Sequence, residues 1–318
     1  MRYRMFAHSI LGQKYKDKGW ECQDISDCDE MAGNLQIIAV ADGHGSDDCF
    51  RSQIGSKLAT TTVINLARKS FAENEENKFN GTAIRNFKYA LWSEWRKEVK
   101  KNWYDNLPSA NGANDEIRFA AVSDKYKEYY TSEDEEIMEK YLYDAYGTTL
   151  ICAVSDGKQL LLLQVGDGTC SVLSKSGEFS APIPPDEDNF LNKTFSLCKV
   201  DENNADAKIR HAVLDYEGTD FEPIAVFLST DGLDDCYPYA DNTKHLFTNF
   251  YPVMVKYILE EGYTATEAKI KNEILPYMTD KVSKDDISLA FFITEDTKSL
   301  QEAYEQIPDF LAKIKSEE

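Results

Sequence analysis

The sequence predicts a mixed α+β domain in which two strand-rich regions flank a helical stretch. Two observations carry this reading. Thr148 to Val154 and Gln159 to Val165 are apolar runs joined through Ser155-Asp156-Gly157-Lys158, and Asp-Gly is the favoured two-residue hairpin turn, so antiparallel pairing is expected here. Between residues 46 and 103, by contrast, apolar residues recur at helical spacing: Phe50, Ile54, Leu58, Val63, Leu66 and Ala67, then Ile84, Phe87, Leu91, Trp95 and Val99.

Taken in order, Tyr3 to Ile10 is a short strand candidate, followed by a lysine-rich turn (Lys14, Lys16, Lys18, Gly19). Asp24 to Gly33 lacks the acidic spacing of a calcium loop. Leu35 to Ala41 is an apolar, β-leaning run that reads as a buried strand. It ends at Asp42-Gly43-His44-Gly45, where the glycines permit a tight turn. Ser46, with Asp47 and Asp48, has the character of a helix N-cap and first turn, so one helix is expected over 46 to 70. A polar loop over 71 to 81 precedes a second helix from about Thr82 to Trp103, and residues 105 to 116 read as another loop. Ser132 with Glu135 forms a capping box for a short helix through Ala145.

After the hairpin, the chain runs through Gly166-Asp167-Gly168 into a strand, Thr169 to Leu173. Residues 174 to 222, with Pro182, Pro184 and Pro185 and many acidic side chains, suit an irregular flap. Ile224 to Ser229 is a buried strand ending in Thr230-Asp231-Gly232-Leu233-Asp234-Asp235. Helices are expected from Lys244 to Glu261 and, capped by Thr264 with Glu267, from Ala265 to Tyr277. Ser283-Lys284-Asp285-Asp286 then leads into the strand Ile287 to Thr294. An amphipathic helix (Leu300, Tyr304, Ile307, Leu311, Ile314) occupies the last twenty or so residues. The helical stretch has no linker-like composition. The expected organisation is therefore one domain over 1 to 295, with a helical insertion at about 71 to 145 and a C-terminal helix over 296 to 318.

Composition narrows the function. Hydrophobic residues make up 42% of the 318-residue chain, enough for a sizeable core. A formal charge of −21 leaves no basic surplus to offset phosphates, which argues against nucleic-acid and anionic-membrane partners. The seven cysteines (22, 28, 49, 152, 170, 198 and 236) are scattered, with no C-x-x-C pair, a pattern of reduced thiols in a cytosolic setting. No signal core and no 18-residue apolar run occurs, so a cytoplasmic location is expected.

Three strands end in an aspartate followed by glycine, at Asp42, Asp167 and Asp231, and a fourth begins just after Asp285. Antiparallel neighbours can bring these four positions to one sheet edge. Gathered carboxylates repel, and a cation relieves the repulsion. Oxygen ligands without paired cysteines favour Mg²⁺ or Mn²⁺ over zinc.

The set Gln23-Asp24, Val40-Ala41-Asp42-Gly43-His44-Gly45, Gly147-Thr148-Thr149, Val165-Gly166-Asp167, Ser229-Thr230-Asp231-Gly232-Leu233-Asp234-Asp235 and Asp285-Asp286-Ile287-Ser288 resembles the PPM-type metal-dependent Ser/Thr protein phosphatases, in particular their bacterial branch. The landmarks fall in the family's order across about residues 5 to 294. The resemblance implies a four-layer α-β-β-α sandwich with two mostly antiparallel sheets and metals at one end. It implies that Asp42 bridges two Mg²⁺ or Mn²⁺ ions, that Asp231 and Asp285 hold the first, and that Asp24 and the Gly43 carbonyl hold the second. Asp167 and Asp235 match positions associated with a third, weaker ion or with support of the ligands. His44 matches the family's general acid. The implied activity is hydrolysis of phosphoserine and phosphothreonine in a phosphorylated protein substrate by a metal-bridging water.

The chain departs from that pattern in three places. Eukaryotic members carry a phosphate-holding arginine five residues before the first aspartate, where this chain has Gly19. The insertion after Asp42 is long, and the segment between Asp167 and Asp231 is short. An arginine restored at Gly19 is expected to tighten phosphate binding if the backbone there does not need positive φ, with Lys16 or Lys18 as partial substitutes. The rival readings are a non-catalytic regulatory module on the same fold and a hydrolase of small phosphate esters.

Overall fold

In the computed structural model, the described residues are 2–31, 34–71, 79–108, 118–184, 194–216, 222–238 and 242–316. Strands form where the sequence runs apolar. They are β1 (Tyr3–Ile10), β2 (Ile25–Met31), β3 (Leu35–Ala41), β4 (Leu150–Ser155), β5 (Gln159–Val165), β6 (Thr169–Ser174), β7 (Phe179–Ser180), β8 (Arg210–Asp215), β9 (Pro223–Ser229) and β10 (Ile287–Thr294). They assemble into two antiparallel five-stranded sheets, in the orders β1-β10-β9-β6-β7 and β2-β3-β4-β5-β8. Every residue of β3, β4, β9 and β10 is buried.

That uninterrupted burial follows from layering, because both faces of these strands are covered. Ile38, Val40, Ile151, Ala153 and Leu162 of one sheet meet Val172, Val226, Leu228, Ala290 and Phe292 of the other between the sheets. The alternate residues point outward. Ile37, Ala39, Leu161 and Leu163 pack under helices Ser52–Phe71 and Gly81–Asp105, with Trp95 and Trp103 wholly in that core. On the far side, Phe227, Leu289 and Phe291 pack under helices Tyr251–Glu261, Leu275–Lys281 and Thr297–Ser316. The order of layers is α-β-β-α. No helix among the described residues is long and apolar enough to cross a membrane.

Several local expectations are corrected. The helix expected from Ser46 starts at Ser52 instead, because residues 47 to 51 form turns, with the Ser46 hydroxyl accepting only from Asp48 N. The expected capping box is replaced by an Asp134 cap whose carboxylate accepts from Glu136 N. The helix it starts gives way to a 3₁₀ turn at Leu142. The helix expected from Ala265 begins at Tyr263, with Gly262 as its cap at φ +85°, so Thr264 caps nothing. Asp156 N donates to Gln159 O, which makes Gly157-Lys158 the central residues of the hairpin turn rather than Asp156-Gly157. Residues 174 to 222 are not irregular throughout: β8 runs along the sheet edge beside β5. Neither β2 nor the helix Asp124–Tyr130 is foreseen from the sequence. The loop expectations at 72–78 and 109–116, and the middle of the flap at 185–193, lie outside the described residues.

Candidate active site

The four strand-end aspartates do not share one sheet edge. Asp42 follows β3 in one sheet, Asp231 follows β9 in the other, Asp285 precedes β10, and Asp167 lies where the chain crosses from β5 to β6. They meet at one end of the sandwich because both sheets end there. A cavity of about 260 Å³ opens at that end, lined by Asp24, Asp42, Asp231, Asp285 and Asp286 together with His44 and Lys14. Carboxylate oxygens of Asp42, Asp167 and Asp231 lie within 4.8 Å of one another.

The turn carrying Asp42 is splinted by Gly147-Thr148-Thr149. Thr149 N donates to Asp42 O at 2.8 Å, the Thr148 hydroxyl donates to the same oxygen at 2.9 Å, and His44 N donates to Gly147 O at 3.0 Å. Gly43 forms an isolated antiparallel bridge with Thr148. The backbone around the acid and the imidazole is therefore held from the neighbouring strand.

Asp24 is buried and accepts a 2.6 Å hydrogen bond from the Thr230 hydroxyl. Asp286, absent from the ligand set expected from the sequence, is the brace of this end. Its Oδ1 accepts from Gly12 N at 2.7 Å and its Oδ2 from Gln23 N at 2.6 Å. Gln23 in turn accepts from the hydroxyls of Ser52, at its side chain, and Ser56, at its carbonyl. The Thr194 hydroxyl of the flap donates to Asp167. Asp235 stays outside the cavity on the exposed side of its turn. Its neighbour Asp234 is buried and accepts from the Thr169 hydroxyl at 2.7 Å.

Electrostatics mark this end as a place where charge is costly. Burial, and then the neighbouring carboxylates, push Asp24 and Asp231 well above the usual aspartate range. Burial and then Asp167 raise Asp42 to about 7. Burial raises Asp286 to about 6, against the lowering effect of the Gly12 and Gln23 N–H groups. Burial also lowers His44, with Lys199 adding to the effect and Asp167 opposing it. Aspartates held this close, with Lys14 beside Asp285 bringing the one ammonium or guanidinium among the described lining residues, fit hard divalent cations. The carboxylate donors are all oxygen, and a cation removes the repulsion that raises their pKa values.

Residues 11–268 match the family model for protein phosphatase 2C. The chain belongs to the protein phosphatase 2C family. Solved structures share the fold at low identity. The Pseudomonas aeruginosa protein PppA, described as a key regulatory component of the type VI secretion system, is 15% identical with a TM-score of 0.51, and the match covers 92% of this chain and 98% of PppA. A serine/threonine phosphatase of Staphylococcus aureus is 14% identical (TM-score 0.50; 93% and 96% covered). The catalytic domain of the serine/threonine phosphatase PstP, solved with two manganese ions, is 13% identical (TM-score 0.50; 92% and 99% covered). No curated protein matches this chain in sequence. The motif residues of this protein phosphatase 2C chain fall in the matched span, save Asp285 and Asp286, which lie beyond its end.

Proposed function

We propose that this protein hydrolyses phosphoserine and phosphothreonine in protein substrates with the help of two Mg²⁺ or Mn²⁺ ions. The observation that carries the reading is the cavity lined by five aspartates, in which burial drives Asp24, Asp42 and Asp231 to hold protons unless a cation replaces them. Asp42, Asp231 and Asp285 would hold one cation, and Asp42 with Asp24 and the Gly43 carbonyl would hold the other. Asp167 would serve a third or support the set, and Asp235 sits at the margin. When bound, such ions lower the pKa of water and offset the charge of phosphoryl oxygens.

The chain's own residues do the rest. The Thr148 and Thr149 contacts hold Asp42 in register, and the Thr230 hydroxyl fixes the rotamer of Asp24. His44, rigidly attached through Gly147, lines the same cavity and is positioned to deliver a proton to the departing serine or threonine oxygen, a poor leaving group unless protonated. Burial lowers the His44 pKa on balance, and Asp167 opposes that drop, favouring the imidazolium needed for that role.

The test is turnover of a phosphoserine peptide by the intact chain with Mn²⁺, followed by chelation. Activity that appears with the ion and vanishes with the chelator supports the reading. Absence of turnover with both Mn²⁺ and Mg²⁺ overturns it, and hydrolysis of free nucleotides but not phosphopeptides moves the substrate to small phosphate esters.

A further inference from the structure

We propose that Lys14 grips the phosphoryl oxygens of the substrate, a phosphate monoester dianion, at the mouth of the carboxylate cavity. This rests on the phosphatase reading above and assigns it a substrate-binding residue. Among the described residues that line the cavity, Lys14 brings the only ammonium or guanidinium. Its Nζ lies 3.2 Å from Asp285 Oδ2, so the side chain reaches the chemistry, yet nearly half of it remains exposed and free to turn toward an incoming group.

The backbone beneath it is fastened to the ligand-bearing loop. Gly12 N donates to Asp286 Oδ1 at 2.7 Å and Lys14 N donates to the Lys284 carbonyl at 2.9 Å. The contact at Gly12 is so close that a Cβ there would fall 2.2 Å from the Asp285 carbonyl carbon. The Tyr15 ring, 4.9 Å from the ammonium and itself part of the cavity wall, supports the lysine stem. The fold thus clamps a cation against the Asp285-Asp286 loop, where an incoming anion would meet it. A phosphoryl dianion offers more charge and more acceptor oxygens than the single Asp285 carboxylate, so the ammonium is drawn to it by charge-assisted hydrogen bonds.

The other basic residues of the turn are committed elsewhere. Lys16 pairs with Asp280 at 2.8 Å, and Lys18 lies 4.2 Å from the Trp20 ring centre. Gly19 has φ +68°, a Cβ at that position would meet no atom within 4 Å, and the residue is not among those lining the cavity.

Calorimetric titration of inorganic phosphate into the Mn²⁺-loaded protein tests the proposal without reference to turnover. Lys14→Gln should weaken phosphate binding about tenfold, the scale of losing one hydrogen bond to a charged group. It should raise KM for a phosphoserine peptide by a similar factor with a smaller change in kcat. Lys14→Arg should retain most of the affinity, and Lys16→Gln should match the wild type. Phosphate affinity that is unchanged in Lys14→Gln, or absent from the wild type, overturns the proposal. So does tighter Mn²⁺ binding in Lys14→Gln with phosphate affinity unaltered, since Lys14 would then be only a counter-ion of Asp285. If the wild type binds phosphate through Lys14 but turns over no phosphopeptide, the phosphatase reading fails and this assignment stands.

Discussion

The Thr230 hydroxyl donates to Asp24 Oδ2 at 2.6 Å while accepting from Ser288 N at 2.9 Å. One small side chain at the end of β9 thus ties a carboxylate beside the opposite sheet to the start of β10. Thr230→Val keeps the shape and removes both bonds. The variant should lose about 1–3 kcal/mol of stability, the cost of leaving buried polar groups unpaired. It should also bind Mn²⁺ more weakly because Asp24 is no longer aimed. Thermal unfolding and Mn²⁺ calorimetry check both, and a wild-type melting temperature would show that the bond contributes nothing.

Asp42→Asn and Asp231→Asn should each abolish nearly all phosphatase activity with Mn²⁺ present. In the metal-free protein each should melt no lower than the wild type, because a neutral amide relieves a buried carboxylate of its neighbours' repulsion. Melting temperatures in chelator separate this from ordinary misfolding. Loss of both activity and fold would contradict the argument.

The pH dependence of the metal-free fold has a definite sign. Asp42 and Asp234 are raised to about 7 and Asp286 to about 6, from 3.8 in each case. The folded state therefore binds more protons than the unfolded state between about pH 4 and 7, and stability falls as pH rises through that window. In chelator the protein should melt higher at pH 5 than at pH 8. Asp234→Asn should flatten part of that slope, since Asp234 accepts only the Thr169 hydroxyl at one oxygen and the other is unpartnered. Saturating Mn²⁺ should reduce the slope further.

His44→Ala should slow a phosphoserine peptide by about a hundredfold, within the usual range for losing a general acid. An aryl phosphate, whose phenolate leaves without a proton, should be slowed much less. Equal slowing of both substrates would instead make His44 a turn residue pinned by Gly147.

What was legible in the sequence was whatever depended on neighbours in the chain. β3, β9 and β10 were readable because burial on both faces demands unbroken apolar runs, and Asp42 and Asp231 because each follows such a run and precedes a glycine. β2 and β8 are edge strands with mixed sequences, Ile-Ser-Asp-Cys-Asp-Glu-Met and Arg-His-Ala-Val-Leu-Asp, and their pairing rather than their composition defines them. Asp286 stands in the last motif, but its bracing role is not legible there because its partners, Gly12 and Gln23, lie 274 and 263 residues away. The suggestion of an arginine at Gly19 fails for a local reason. At φ +68° a side chain is strained, so Gly19→Arg should cost stability without improving KM.

The pairing of β1 with β10, from Tyr3 opposite Thr294 to Ile10 opposite Ile287, has a consequence for synthesis. The sheet of β2, β3, β4, β5 and β8 has all its strands by residue 215, so it can close while the ribosome is still working on the remainder. β1, made first, must wait for the strand made last. During that interval Phe6 and Tyr3, which end buried in the core, are exposed on a nascent strand whose partner does not yet exist. Asp42 and Asp167 can be in place early and repel each other from then on, but Asp285 arrives only when β10 docks, so the full set of carboxylates assembles at the end of folding.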